Sequence, residues 1–170
     1  MFEKEILTLS IENDSVRAVL TKGKQVVKWG TRPLQNGWVR DGLVSEIQEV
    51  GAAIDRLLTE QQLPRRQVAV AITGLRAIFR ILTFPKMSSS LLASTVMREA
   101  KREIPVPLEE VYLSWQILAD RGALQEVFLV SVPRELVDAS VQALRLANIR
   151  PSLMDLKPLA LARAINKSQA

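Results

Sequence analysis

Five consecutive apolar residues, Val68 to Ile72 (VAVAI), constrain the fold of this chain more than any other stretch. A short β-branched run that is apolar on both parities reads as a strand covered on both faces, as in the layered α/β folds. The residues before it supply the neighbours. Glu5 to Ile11 alternates like a half-buried strand, Glu12-Asn13-Asp14 makes a turn, and Val16 to Leu20 resumes the strand character. Lys22-Gly23 forms a second hairpin turn, since glycine tolerates positive φ, and Gln25 to Thr31 follows as a third strand closed by Pro33. Leu43, Ile47, Val50, Ile54, Leu57 and Leu58 then recur at three- and four-residue steps, which predicts an amphipathic helix. Ser45 with Gln48 fits a capping box at its start, and Pro64 bars its continuation.

After Thr73-Gly74 the pattern changes. Ile78 to Phe84 is a strand ended by Pro85, and Ser88 or Ser89 caps a helix with Leu92, Val96, Ala100 and Ile104 on its apolar side. Pro105-Val106-Pro107 stops that helix. Val111, Leu113, Trp115 and Ile117 alternate along a strand, Asp120-Arg121-Gly122 turns, and Val127 to Val132 returns as a buried partner. Pro133 opens a helix carrying Val137, Val141 and Leu144, with Asn148 as a left-handed C-cap. Ser152 to Leu156 is a last strand and Leu159 to Ile165 begins a last helix. A self-contained strand-helix-strand-strand-helix group thus interrupts a β-β-β-α-β run and its closing strand–helix pair, which predicts two subdomains, the second inserted into the first.

Composition narrows the chemistry. The 170 residues suit one compact domain or two small subdomains. With no histidine and no cysteine, Ser-His-Asp and Cys-His catalysis, thiolate metal sites and disulfides are excluded. The net charge of +5 favours acidic partners, but it is modest, and a generic solvated basic surface is the better default. Aromatic residues, at 5%, are too few for base-stacking platforms, so nucleic acid is not an expected partner. No apolar run approaches the ~20 residues that span a bilayer, and acidic residues stand where a secretory signal would be basic. A cytoplasmic location is the expectation.

Several segments, in collinear order, resemble the type IV pilus assembly protein PilM family, relatives of the cell-division protein FtsA in the actin-like ATPase superfamily. They are PLQNGWVRDGLV (Pro33 to Val44), VAVAITG (Val68 to Gly74), FPKM (Phe84 to Met87), REAKREIPVPLEEV (Arg98 to Val111), LVSVPRELVD (Leu129 to Asp138) and LKPLALARAI (Leu156 to Ile165). The resemblance implies an RNase H-like (actin-like) subdomain 1A, residues 1–75 and 149–170, interrupted by an inserted 1C (SHS2-like) subdomain, residues 76–148. It implies a cytoplasmic scaffold, peripheral to the inner membrane, that binds the N-terminal peptide of a PilN-type inner-membrane protein between 1A and 1C, and it admits other pilus or secretion components of that membrane as partners. Full-length members bind Mg-ATP with a second lobe that this chain does not include, so no cofactor is expected for the chain alone.

The phosphate hairpin departs from the family pattern, which reads approximately LDIGSSSVK where this chain has LSIENDSVR (Leu9 to Arg17). Ser10 replaces the metal-linked aspartate and Glu12 replaces the glycine that lets the backbone approach an anion. Ser10, Asn13, Ser15 and Arg17 are the remaining candidates for phosphate contact, although the segment reads first as a polar hairpin turn. An alternative reading is therefore half of an actin-like ATPase, and another is a basic module docking on anionic lipid or nucleic acid. Arg98, Lys101 and Arg102 are the candidate basic face, which Arg76 and Arg80 would extend if their strand lies beside the helix. Among Trp29, Trp38 and Trp115, Trp38 is the expected exposed partner anchor and Trp115 is expected in the core. Glu109-Glu110 reads as a solvated pair at a strand start rather than an acid/base dyad.

Overall fold

A computed structural model describes residues 4–73 and 76–168, the last three of them by backbone alone. Its contacts divide the chain into two compact units, Met1–Leu75 with Leu136–Ala170, and Arg76–Glu135. Gly74, part of the expected turn after the fifth apolar residue, lies outside the described residues.

The first unit is built on a five-stranded sheet of order β10-β6-β1-β2-β3. Its strands are β1 (Glu5–Ile11), β2 (Ser15–Lys22), β3 (Gln25–Pro33), β6 (Val68–Ile72) and β10 (Pro151–Leu156). The first three form the expected antiparallel meander. β6 joins β1 and β10 in parallel, so the VAVAI run is an interior strand, and Val68, Val70 and Ile72 are buried.

The link before the first helix carries more structure than its sequence announces. Two residue pairs, β4 (Val39–Arg40) and β5 (Leu43–Val44), make a small hairpin whose turn places Asp41 at φ 49 and Gly42 at φ 80. A Cβ on Gly42 would fall 2.2 Å from Thr73 Oγ1, so glycine is required there. Leu43 is thereby drawn into a strand, and helix α1 (Ile47–Glu60) begins four residues later than the apolar spacing predicts. The capping box is not formed either. Glu46 is the N-cap, without a side-chain cap bond, and the Ser45 and Glu46 N–H groups donate to the Trp38 carbonyl instead.

Helix α3 (Arg134–Leu146) buries Leu136, Ala139, Ser140, Ala143 and Leu144, whereas Val137 and Val141 of the expected face are only half-buried. Small residues decide this. The ideal Cβ position of Gly51 in α1 lies 3.0 Å from the Ala143 carbonyl and 2.8 Å from the Leu146 Cβ, so the two helices are in direct contact through residues without bulk. Beyond its first turn α3 therefore belongs to the first unit, and the units part at Glu135 instead of at the expected residue 148. Asn148 closes α3 at φ 56, and α4 (Lys157–Ser168) follows β10.

The second unit pairs a three-stranded antiparallel sheet of order β7-β9-β8 with one helix. The strands are β7 (Ile78–Pro85), β8 (Val111–Arg121) and β9 (Leu124–Pro133), and the helix is α2 (Ser89–Glu103). Leu92, Val96, Ala100 and Ile104, four residues apart as the sequence predicts, bury against Phe84, Val127 and Leu129. Trp115 packs on this core half-buried, whereas Ile117, expected on the same buried face, is exposed at the point where the regular β8–β9 register ends. Glu109 and Glu110 sit exposed in a 3-10 turn, not on a strand.

Candidate functional site

The β1–β2 turn brings Ser10, Asn13, Ser15 and Arg17 into one neighbourhood, and each is engaged within the protein. The Ser10 hydroxyl donates to Glu12 Oε1 at 2.6 Å. The Asn13 side-chain oxygen accepts from the Gly42 N–H at 3.4 Å. Ser15, buried, donates to Asp14 Oδ1 at 2.9 Å and accepts from Arg17 Nε at 3.4 Å. The Glu12 N–H is bonded to the Ser15 carbonyl at 2.9 Å, so it is not a free donor.

The sequence reading did not find Lys157. This first residue of α4 reaches across to Glu12, and its ammonium donates to the same Oε1 that Ser10 holds. The Glu12 side chain is only 16% exposed in that pair. Burial alone would push its carboxyl pKa up. The hydrogen bonds from Lys157 and Ser10 and the charges of Lys157 and Arg17 outweigh burial, and the pKa is held below the ordinary glutamate value. The pair is also consistent with the helix dipole, since it brings an anion to the start of α4 where a lone lysine would be unfavourable.

A depressed carboxyl pKa stabilises the fold above its unfolded value and stops doing so as the pH falls through the folded value. The Glu12–Lys157 contribution is therefore expected in full above pH ~4.3 and lost below it. With the ammonium partly in solvent it amounts to about 0.2–1 kcal/mol. Thermal unfolding followed from pH 6 to pH 3 checks this. Glu12→Gln should flatten the acid limb of that curve, and an unchanged limb would remove the pair from the account.

This turn does not fit a nucleotide phosphate. An incoming phosphate would face the carboxylates of Glu12 and Asp14, and the hydroxyls that could donate to it are already spent. Among the described residues there is also no cluster of three or more acidic side chains able to hold a metal ion.

The second group of candidates lies on the outer face of α2. Arg98, Lys101 and Arg102 are exposed, with Met97 and Leu91 exposed on the same helix. Arg102 has Glu99 at 3.6 Å as a loose partner. Arg80 does lie beside α2, but it is paired with Glu103 at 3.3 Å, and Arg76 is paired with Glu135, so neither extends the basic face as an unpaired charge. Trp38 is half-buried rather than exposed, because its backbone anchors the turn that starts α1. The exposed tryptophan is Trp29, 69% accessible on the edge strand β3 with Val26 and Val27 also exposed. Among the described residues no helix is long and apolar enough to cross a membrane.

A mixed meander-and-parallel sheet, with a second α/β unit set into the chain after its fourth long strand, defines a two-unit mixed α/β protein. The family follows from the sequence comparison. The profile described as type IV pilus assembly protein PilM matches residues 9–170, and the chain belongs to that family. It is similar to a solved structure described as the PilM–PilN type IV pilus biogenesis complex, with a TM-score of 0.82 and 30% identity, covering 93% of this chain and 49% of that one. It is also similar in fold to the cytoplasmic domain of EpsL, an inner-membrane component of the type II secretion system of Vibrio cholerae. That match has a TM-score of 0.56 and 17% identity, and it covers 90% of this chain and 57% of the other. The chain thus spans about half the length of the solved structures it matches.

Proposed function

We propose that this chain acts as a binding scaffold of type IV pilus assembly, in the cytoplasm and peripheral to the inner membrane, and that its partner is the N-terminal peptide of a PilN-type protein. The observation that carries this reading is the likeness, across 93% of the chain, to a PilM whose solved structure is a complex with PilN. The internal bonding of the β1–β2 turn supports a role without nucleotide at that turn, since Glu12, Ser10 and Lys157 satisfy one another. The finer assignment belongs to the same proposal: an RNase H-like subdomain 1A for the first unit and an SHS2-like 1C for the second. The mechanism is burial of apolar peptide side chains, with Arg98, Lys101 and Arg102 as the charged contacts and no bond made or broken.

Calorimetric titration of the full chain with a PilN-type N-terminal peptide tests it. Saturable binding is expected, with weaker affinity and a shallower salt dependence when Arg98, Lys101 and Arg102 are all changed to glutamine. Absence of binding up to millimolar peptide would remove the scaffold reading. Binding indifferent to the triple variant would remove those three residues from it.

A further inference from the structure

The end of the five-stranded sheet opposite the β1–β2 turn carries a group of charges that the scaffold reading does not use. β6 and β10 start side by side there, Val68 opposite Pro151. Next to their first residues is a cavity of about 920 Å³ whose lining includes Arg65, Val141, Arg145, Asn148, Arg150 and Pro151. Three of those residues are arginines, and among the described residues no carboxylate lines the cavity. Arg65 turns one nitrogen, Nη2, to Asp55 at 2.7 Å and Thr59 at 3.0 Å. Its other terminal nitrogen, Nη1, is buried and has no hydrogen-bond partner among the described residues. Arg145 and Arg150 are exposed and form no ion pair among the described residues.

The ordinary duty of basic residues at the end of a helix is to satisfy its last carbonyls. Here that duty is already met. The Ala147, Asn148 and Ile149 N–H groups bond the carbonyls of Ala143, Leu144 and Arg145, through the left-handed turn at Asn148. Arg145 and Arg150 are left with open donor forks, and the buried Nη1 of Arg65, whose Nη2 is held by Asp55 and Thr59, is a donor that is costly to leave without a partner. Planar forks match oxyanions with several acceptor oxygens, and two open forks beside a third guanidinium suit a doubly charged phosphate better than a single carboxylate. The volume lies in the range of small-ligand sites, roughly 300–1,000 Å³, and exceeds what one isolated phosphate needs. We propose that the Arg65–Arg145–Arg150 pocket binds a phosphate-bearing anion, either a free polyphosphate or the headgroup of an acidic lipid.

Two titrations of the full chain separate the sources, one with inorganic pyrophosphate and one with vesicles of phosphatidylglycerol in phosphatidylcholine. Saturable binding that weakens with salt is expected in at least one of them. The double variant Arg145→Gln/Arg150→Gln removes two exposed, unpaired charges and should keep the wild-type melting temperature. It should lower the affinity at least tenfold, and Arg65→Lys, which keeps the charge and loses the fork, should lower it severalfold. Pyrophosphate binding with these losses assigns a free phosphate; vesicle binding alone with these losses assigns a headgroup. The proposal is overturned if neither probe binds, or if the double variant binds like the wild type. It is overturned equally if neutralising Arg98 and Lys101 abolishes the binding instead. None of these readouts depends on the PilN-type peptide, so the pocket and the scaffold reading fail separately.

Discussion

Leu129→Ala is expected to unfold the second unit while the first keeps its sheet. Leu129 lies on the central strand β9, fully buried, within the layer formed by α2 and the sheet. Truncating a leucine in such a site costs about 2–5 kcal/mol, the lost transfer energy plus the cavity that remains. Folded chains hold only about 0.05–0.15 kcal/mol per residue, so for a unit running from Arg76 to Glu135 the loss is comparable with all the stability it has. Hydrogen exchange resolved along the chain checks this. Protection should vanish over β7, β8 and β9 and persist over β1, β2 and β6; uniform loss would show that the two units unfold as one. The same variant should lose any peptide binding that needs the α2 face.

The second large effect runs against helix propensity. Gly51→Ala in the interior of α1 would ordinarily gain up to about 1 kcal/mol. Here the new methyl falls 2.8 Å from the Leu146 Cβ and 3.0 Å from the Ala143 carbonyl. Neither obstacle is the free end of a flexible side chain, so α3 has to move. Overpacking of this kind costs about 1–3 kcal/mol, and the net change is expected to be destabilising. Thermal unfolding decides the sign, and a rise in melting temperature would mean that the α1–α3 contact is looser than described.

These two cases mark the limit of what the residues disclose when read in order. Periodicity located β1 and β6 to the residue and the α2 stripe at all four positions, because large apolar side chains announce a buried face. It found Leu144 in α3 but misjudged the rest of its buried face, which includes Ala139, Ser140 and Ala143, residues that carry almost no hydrophobic signal. It missed the β4–β5 hairpin, where two-residue strands are too short to show alternation, although Asp41-Gly42 is a turn signature that could have revealed it. The partner of Glu12 was beyond it, because Lys157 is 145 residues away and becomes a neighbour only through the parallel β6–β10 pairing. The arginine pocket has the same character, assembled from the loop before β6 and the α3–β10 corner. Trp38 was misplaced because a tryptophan in a loop looks exposed until its backbone is seen to anchor a helix.

The discontinuity of the first unit sets an order of events at the ribosome. The second unit is one continuous segment and is complete once Glu135 has emerged. β6 is synthesised well before β10, so in the nascent chain its outer edge has no strand to pair with and offers open N–H and C=O groups. During that interval the interior strand of the finished protein is the place where a chaperone, or a second nascent copy, would find a template.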